Sequence, residues 1–176
     1  MKNSLHPRVE LYIGGCSGSN VPQAERILRC GEDESDVLSR PVSRTAFGLH
    51  TTSLALLIGQ TGVIVDNGTG AGQAAEFLRS RGVTSVYILN THYHLDHIAG
   101  LVVNPYLMSE ARFVKGVFGP RLEGRDFASV IDTFYGPPFW PVSPKMFGVK
   151  LPLFSFEPGE TLAVLGGVKT MLLNHA

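Results

Sequence analysis

The segment Thr91-His92-Tyr93-His94-Leu95-Asp96-His97-Ile98-Ala99-Gly100 places three histidines and an aspartate within six positions. Imidazole and carboxylate are ligands for zinc, manganese or iron, and four such groups on one short segment can serve two adjacent ions as well as one. The stretch before it, Val83-Thr84-Ser85-Val86-Tyr87-Ile88-Leu89, is β-branched, aromatic and almost continuously apolar, which predicts a buried strand ending at Asn90. If the chain stays extended past that end, His92 and His94 point to one side and Tyr93 to the other, so two imidazoles face a common point. Asp96 falls where the chain leaves the strand, and a short helix over Ile98-Ala99-Gly100-Leu101-Val102 would make it an ordinary N-cap. A single histidine would be read as a hydrogen-bonded surface or core residue. Three at the end of a buried strand have no comparable packing role, and metal ligation is the expectation for the set.

These residues resemble the HxHxDH signature of the metallo-β-lactamase fold hydrolases, matched at His92, His94, Asp96 and His97. The resemblance implies that His92 and His94 hold one metal and that Asp96 and His97 hold a second, with Asp96 the residue carried into the catalytic centre. Upstream, Gly62-Val63-Ile64-Val65-Asp66-Asn67-Gly68-Thr69-Gly70 is similar to the strand and loop that run beneath the metals, although the family commonly has Asp-Ala-Gly where Asn67 stands. Asp66 matches a carboxylate that supports the ligands from behind; the plain alternative is a strand-end aspartate in a glycine-rich turn. Leu11-Tyr12-Ile13-Gly14-Gly15-Cys16-Ser17-Gly18-Ser19-Asn20-Val21-Pro22 resembles the Gly-Thr-x-Gly-Ser-x-x-Pro opening of the phosphodiesterase-like members, which include ribonuclease Z and the cyclic-nucleotide and phosphonate-pathway phosphodiesterases. Thr51-Thr52-Ser53, Gly100-Leu101 and Phe139-Trp140-Pro141-Val142 are similar to segments of the same branch in the same order. Asn174-His175 matches a strand ending in Asn-His-Pro that delivers a third histidine to the first metal, with Ala176 where proline is usual. A frayed terminal histidine is the alternative there.

The fold that the resemblance implies is α/β (α+β): an αββα sandwich of two sheets with helices outside, built from two similar halves. The 176 residues correspond mainly to its N-terminal half, a single metallo-β-lactamase-like domain over 1–176 without the C-terminal part. In that part family members carry an aspartate that bridges both metals and a final histidine. The expected cofactor is Zn2+ or Mn2+, two ions by the family's pattern and one here, held by His92, His94 and His175. The implied activity is metal-dependent hydrolysis of cyclic nucleotides or small phosphodiesters through a metal-bound hydroxide. A divalent ion lowers the pKa of its water from 15.7 to about 7, and a second ion roughly 3.5–4 Å away stabilises the leaving oxygen. A thioesterase- or lactamase-type hydrolase of the same fold is one alternative. The other is a non-catalytic half-domain that binds metal weakly and self-associates through its uncovered sheet.

The remaining elements must position this site. Residues 8–13, 53–58 and 63–66 read as strands, the last two joined by a Gly59-Gln60-Thr61-Gly62 turn. Ala71, Ala74, Ala75 and Leu78 form one face of a helix; Phe127, Val130, Ile131 and Phe134 repeat that spacing in a second, which Gly136-Pro137-Pro138 ends. Residues 160–165 and 168–173 read as a hairpin across Gly166-Gly167, and Gly31-Glu32-Asp33-Glu34-Ser35-Asp36 as a solvated loop. A hydrophobic content of 44% suffices for one core. Fifteen basic residues balance fifteen acidic ones, so no net field recruits nucleic acid or a membrane. No run is long enough to span a bilayer and residues 1–8 lack the apolar core of a signal peptide, which makes the cytoplasm the default location. Cys16 and Cys30 are expected as reduced thiols. His6, His50, Arg112, Lys115 and Arg121 receive no assignment, since isolated histidines and scattered basic residues are usually solvent-facing.

Overall fold

In the computed structural model of the chain, which describes residues 9–18, 50–101, 104–109, 111–138, 151–165 and 168–171, six apolar stretches pair into one mixed sheet. The strands β1 (Val9–Gly15), β2 (Ser53–Ile58), β3 (Thr61–Val65), β4 (Ser85–Leu89), β5 (Val114–Pro120) and β6 (Leu153–Phe156) lie side by side in chain order. The first three pair antiparallel, and β3 through β6 run parallel. Parallel neighbours need a crossover. Helix α1 (Ala71–Ser80) supplies it between β3 and β4, α2 (Leu95–Ile98) and α3 (Pro105–Met108) between β4 and β5, and α4 (Phe127–Phe134) between β5 and β6. The order is the mixed α/β layering that the sequence led us to expect.

Alternation along the strands sends Ala55, Ile64, Val86, Ile88 and Val117 to one face, where they are buried against Ala74, Ala75 and Leu78 of α1 and Phe127 and Ile131 of α4. The burial of Ala71, Ala74, Ala75 and Leu78 is the helical face that their spacing predicted. Helix α4 likewise buries Phe127, Val130 and Ile131, with Phe134 half-buried, and starts where the Asp126 carboxylate accepts from Ser129 N at 2.7 Å. The opposite sheet face is also apolar. Register aligns Leu11, Leu56, Val63 and Tyr87 in one row, and Ile13, Leu54, Val65, Leu89, Phe118 and Phe154 in the next. Phe156, Leu162 and Leu165 cover the part around Phe118, Tyr87 and Leu89. Toward the edges Leu11 stays 60% exposed and Phe154 46%.

Several boundaries differ from those expected. Strand β1 continues to Gly15, and Arg8 lies outside the described residues. The turn after β2 contracts to Gly59-Gln60, because Thr61 and Gly62 already pair with Ile58 and Leu57; Gly59 takes φ +62°, which glycine adopts without a Cβ penalty. Strand β4 begins at Ser85, since the Val83 amide is spent on Leu78 O at 3.2 Å, closing the end of α1. The last hairpin is shorter than its apolar pattern suggested. β7 (Thr161–Leu162) gives way to a 3-10 turn over Ala163–Leu165 before β8 (Val168–Lys169), with Thr161 opposite Lys169. Five residues therefore connect the strands instead of two. Gly166-Gly167 and residues 172–176, including Asn174 and His175, lie outside the described residues, as do His6, Cys30, the acidic loop at 31–36 and Phe139 to Val142.

Candidate metal centre

Strands β3 and β4 run parallel, so the loops that follow them leave from the same end of the sheet. Asp66, the first residue after β3, adopts φ +62°. That left-handed conformation costs roughly 1–3 kcal/mol for a residue other than glycine, and Asp and Asn tolerate it best. The buried carboxylate thereby reaches the segment that follows β4. Oδ1 accepts from Thr91 N at 2.7 Å, and the Thr91 hydroxyl stands 2.9 Å from both Oδ1 and Oδ2. Oδ2 lies 2.8 Å from Nδ1 of His97. A carboxylate can only accept, so Nδ1 of His97 carries the proton and Nε2 is the nitrogen left with a lone pair. The same logic extends one residue further. With its proton committed to Asp66, the Thr91 oxygen accepts from Nδ1 of His92 at 3.0 Å. One carboxylate thus orients two imidazoles, directly and through a hydroxyl.

The expected donors lie beside one another. The His92 ring centroid stands 4.6 Å from that of His94 and 4.0 Å from that of His97. Nε2 of His97 is 3.4 Å from Oδ2 of Asp96, and Nε2 of His92 is buried. Tyr93 points the other way, as strand alternation requires: its ring stacks 6.2 Å from Phe127 and its hydroxyl donates to Pro120 O. Burial, reinforced by the charge of Asp126, raises the pKa of that phenol above the ordinary tyrosine range. Helix α2 begins at Leu95, earlier than anticipated, with the His97 amide bonded to His94 O at 2.9 Å. Asp96 is therefore not an N-cap. It sits in the first turn, and the loop after β1 reaches it, since a Cβ on Gly18 would lie 3.9 Å from Asp96 Oδ2.

A second set of contacts fixes the backbone of the ligand segment. Asn67 N donates to His97 O at 2.7 Å and Gly100 N to Asn67 O at 2.6 Å. This crossing is so close that a Cβ on Gly100 would come within 1.8 Å of Gly68 O, and only glycine fits. The Thr51 to Ser53 stretch lies beneath it. Gly68 N donates to Thr52 O at 2.8 Å, Thr51 and Thr69 exchange amide and hydroxyl at 2.9 and 2.7 Å, and Ser53 Oγ donates to Asp66 O at 2.8 Å. Tyr135, at the end of α4, donates its hydroxyl to Ile98 O.

Thr91, Asn104 and Tyr135 escaped the sequence reading, and Asn90 entered it only as the end of a strand. His50 is exposed and contributes its carbonyl to Ser17 N at 3.1 Å. Of the unassigned basic residues, Arg112 lies over the Phe113 ring and Lys115 is exposed near the start of β5, away from the site. Arg121 follows β5 at the site's end of the sheet and pairs with Glu157 at 3.5 Å. Cys16 is an exposed free thiol.

The donor set suits a divalent transition metal. Two ligands 2.0–2.1 Å from one tetrahedral zinc ion stand about 3.4 Å apart, the separation found between Asp96 Oδ2 and His97 Nε2. Among the described residues no three His, Cys, Asp or Glu side chains already close around one point. The ring spacing of 4.0 Å between His92 and His97 shows these histidines to be neighbours, and their chemistry suits such an ion.

Known proteins share this architecture. Residues 47–105, which hold β2, β3, α1, β4 and the whole ligand segment, match the family model of the metallo-beta-lactamase superfamily. The crystal structure of a diphosphatase from the PhnP family has a TM-score of 0.52 and 18% identity over 88% of this chain and 53% of its own. Unliganded yeast PDE1 has a TM-score of 0.41 and 21% identity over 68% of this chain and 49% of its own. The chain spans about half the length of these structures. No curated protein matches it in sequence.

Proposed function

We propose that this chain, which has the metallo-β-lactamase fold, serves a metal-dependent hydrolase acting on a small phosphodiester such as a cyclic nucleotide. The observation that carries the proposal is the single carboxylate of Asp66, which turns Nε2 of His97 toward Asp96 and presents His92 beside His94. His92 and His94 would hold one ion, Zn2+ or Mn2+, and Asp96 Oδ2 with His97 Nε2 a second. His175 joins the first set by resemblance alone. A divalent ion there supplies Lewis acidity toward a phosphoryl oxygen and makes water acidic enough to react near neutral pH. The protein's own part is to hold the imidazoles in one tautomer. Asp96, the one carboxylate between Thr91 and Gly100, would hold the second ion through Oδ2, and in this reading its other oxygen would accept the proton that attacking water gives up. The likeness in fold to a diphosphatase is the support for a phosphorus ester; a thioester or lactam substrate is the alternative within the same fold.

The test is cleavage of bis(p-nitrophenyl) phosphate with added manganese or zinc. We expect turnover in the wild type and at least a hundredfold loss in the His92→Ala, His94→Ala double variant. Equal rates in the two proteins would sink the proposal.

A second reading, metal binding without turnover, is favoured by the apolar sheet face that leaves Leu11 and Phe154 exposed. It predicts less than one tightly held metal per chain and self-association that grows with concentration. A monodisperse monomer carrying two metals in native mass spectrometry would refute it.

A further inference from the structure

Beneath the ligand segment runs a chain of three buried side-chain amides with a single direction. Tyr106 N donates to Asn104 Oδ1 at 3.0 Å, Asn104 Nδ2 to Asn67 Oδ1 at 2.9 Å, Asn67 Nδ2 to Asn90 Oδ1 at 3.0 Å, and Asn90 Nδ2 to Phe118 O at 3.1 Å. All three asparagines are fully buried. The first group is a backbone N–H that can only donate and the last a backbone carbonyl that can only accept, so the polarity of every amide between them is set. Turning any one of them would oppose donor to donor and acceptor to acceptor among side chains that are fully buried. The middle member has a further role. Asn67 also bonds through its backbone to His97 O and to Gly100 N, while Asn90, which it holds by its side chain, immediately precedes Thr91 and His92.

We propose that Asn67, Asn90 and Asn104 are positioning residues that clamp both ends of the 91–100 segment, so that its donors are arranged before any metal arrives. The proposal rests on the metal-site reading above for its consequence, and on the amide chain alone for its mechanism. The three act on the ligand segment through the backbone on either side of it. Asn104 is the far anchor, and its own backbone lies outside the segment it steadies.

Asn104→Asp tests this with almost no change in shape. Oδ1 can still accept from Tyr106 N, but the former donor becomes an oxygen facing Asn67 Oδ1. We expect zinc affinity, measured by competition with a chromogenic chelator, to fall at least tenfold. Hydrogen exchange of the Gly100 amide in the metal-free protein should accelerate at least tenfold. In Leu78→Ala, a destabilised control in α1, the zinc affinity of the folded fraction should stay within threefold of wild type. Asn104→Asp values within threefold of wild type, or an equal loss of affinity in the control, would overturn the proposal. Should Asn104→Asp not fold, the wild type decides: the side-chain amide protons of Asn67 and Asn104 must exchange far more slowly than those of exposed Gln60 and Gln73, and equal rates refute the clamp. Wild type that holds no zinc would remove the proposed function, while the exchange measurements would still judge the clamp.

Discussion

At the scale of residues, the orientation of His97 depends on an acceptor that cannot donate. Replacing Asp66 with Asn puts an N–H or a neutral oxygen where a carboxylate met both Thr91 and Nδ1 of His97. Supporting groups of this kind are worth about 10–100-fold in metal affinity. We therefore expect Asp66→Asn to weaken zinc binding by that factor in chelator competition while the far-ultraviolet circular dichroism is unchanged; undiminished affinity would remove Asp66 from the role. The histidines were legible because strand alternation alone puts His92 and His94 on one side. Asp66 became legible only through a resemblance, for nothing local to Val65-Asp66-Asn67 points 25 positions ahead to Thr91. Asn104 was not legible at all. Seen by its neighbours it is a helix cap before Pro105, which it is, and its second bond is to Asn67, 37 positions back.

Elements were easier to read where one face carried the signal. Helices α1 and α4 declared themselves by apolar spacing, whereas Ala163-Val164-Leu165 continued an apolar run that looked like strand and instead closed as a 3-10 turn. Apolar runs without alternation do not distinguish these outcomes. Helix α4 also does something its sequence did not announce: its last neighbour, Tyr135, holds Ile98 at the end of α2. Burial raises the pKa of this phenol above the ordinary range, so the folded state favours the neutral form. An unfolded chain ionises it near pH 10. The stabilisation is therefore complete below about pH 10 and is lost as pH rises further toward the folded value. In Tyr135→Phe we expect about 1–2 kcal/mol less stability at pH 8, from the unpaired Ile98 carbonyl, and a shallower decline above pH 10. Urea titrations from pH 7 to pH 11.5 measure both; parallel profiles would show that the phenol contributes nothing to alkaline sensitivity.

For the whole molecule, the individual strands could be read from composition, but their neighbours could not. Alternating residues say which face is buried and nothing about which strand lies alongside, so the position of β1 at the edge and the switch to parallel pairing at β3 came from the structure. The core on the helical side bears the stability. Leu78, fully buried where α1 crosses the sheet, should cost about 2–5 kcal/mol when changed to Ala, read by urea denaturation, with the zinc affinity of the folded fraction unaltered. A matched loss of affinity would show that α1 and the ligand loops unfold as one unit. The hairpin between β2 and β3 has one more implication. Its turn, Gly59-Gln60, lies at the opposite end of β3 from Asp66, and β3's five residues span about 16 Å. A Cβ at Gly59 would meet nothing within 4 Å. A nitroxide or fluorophore attached at Gln60 would therefore sit outside every contact described for the centre yet within range of a paramagnetic ion bound there, which makes this turn a ready place from which to watch manganese arrive.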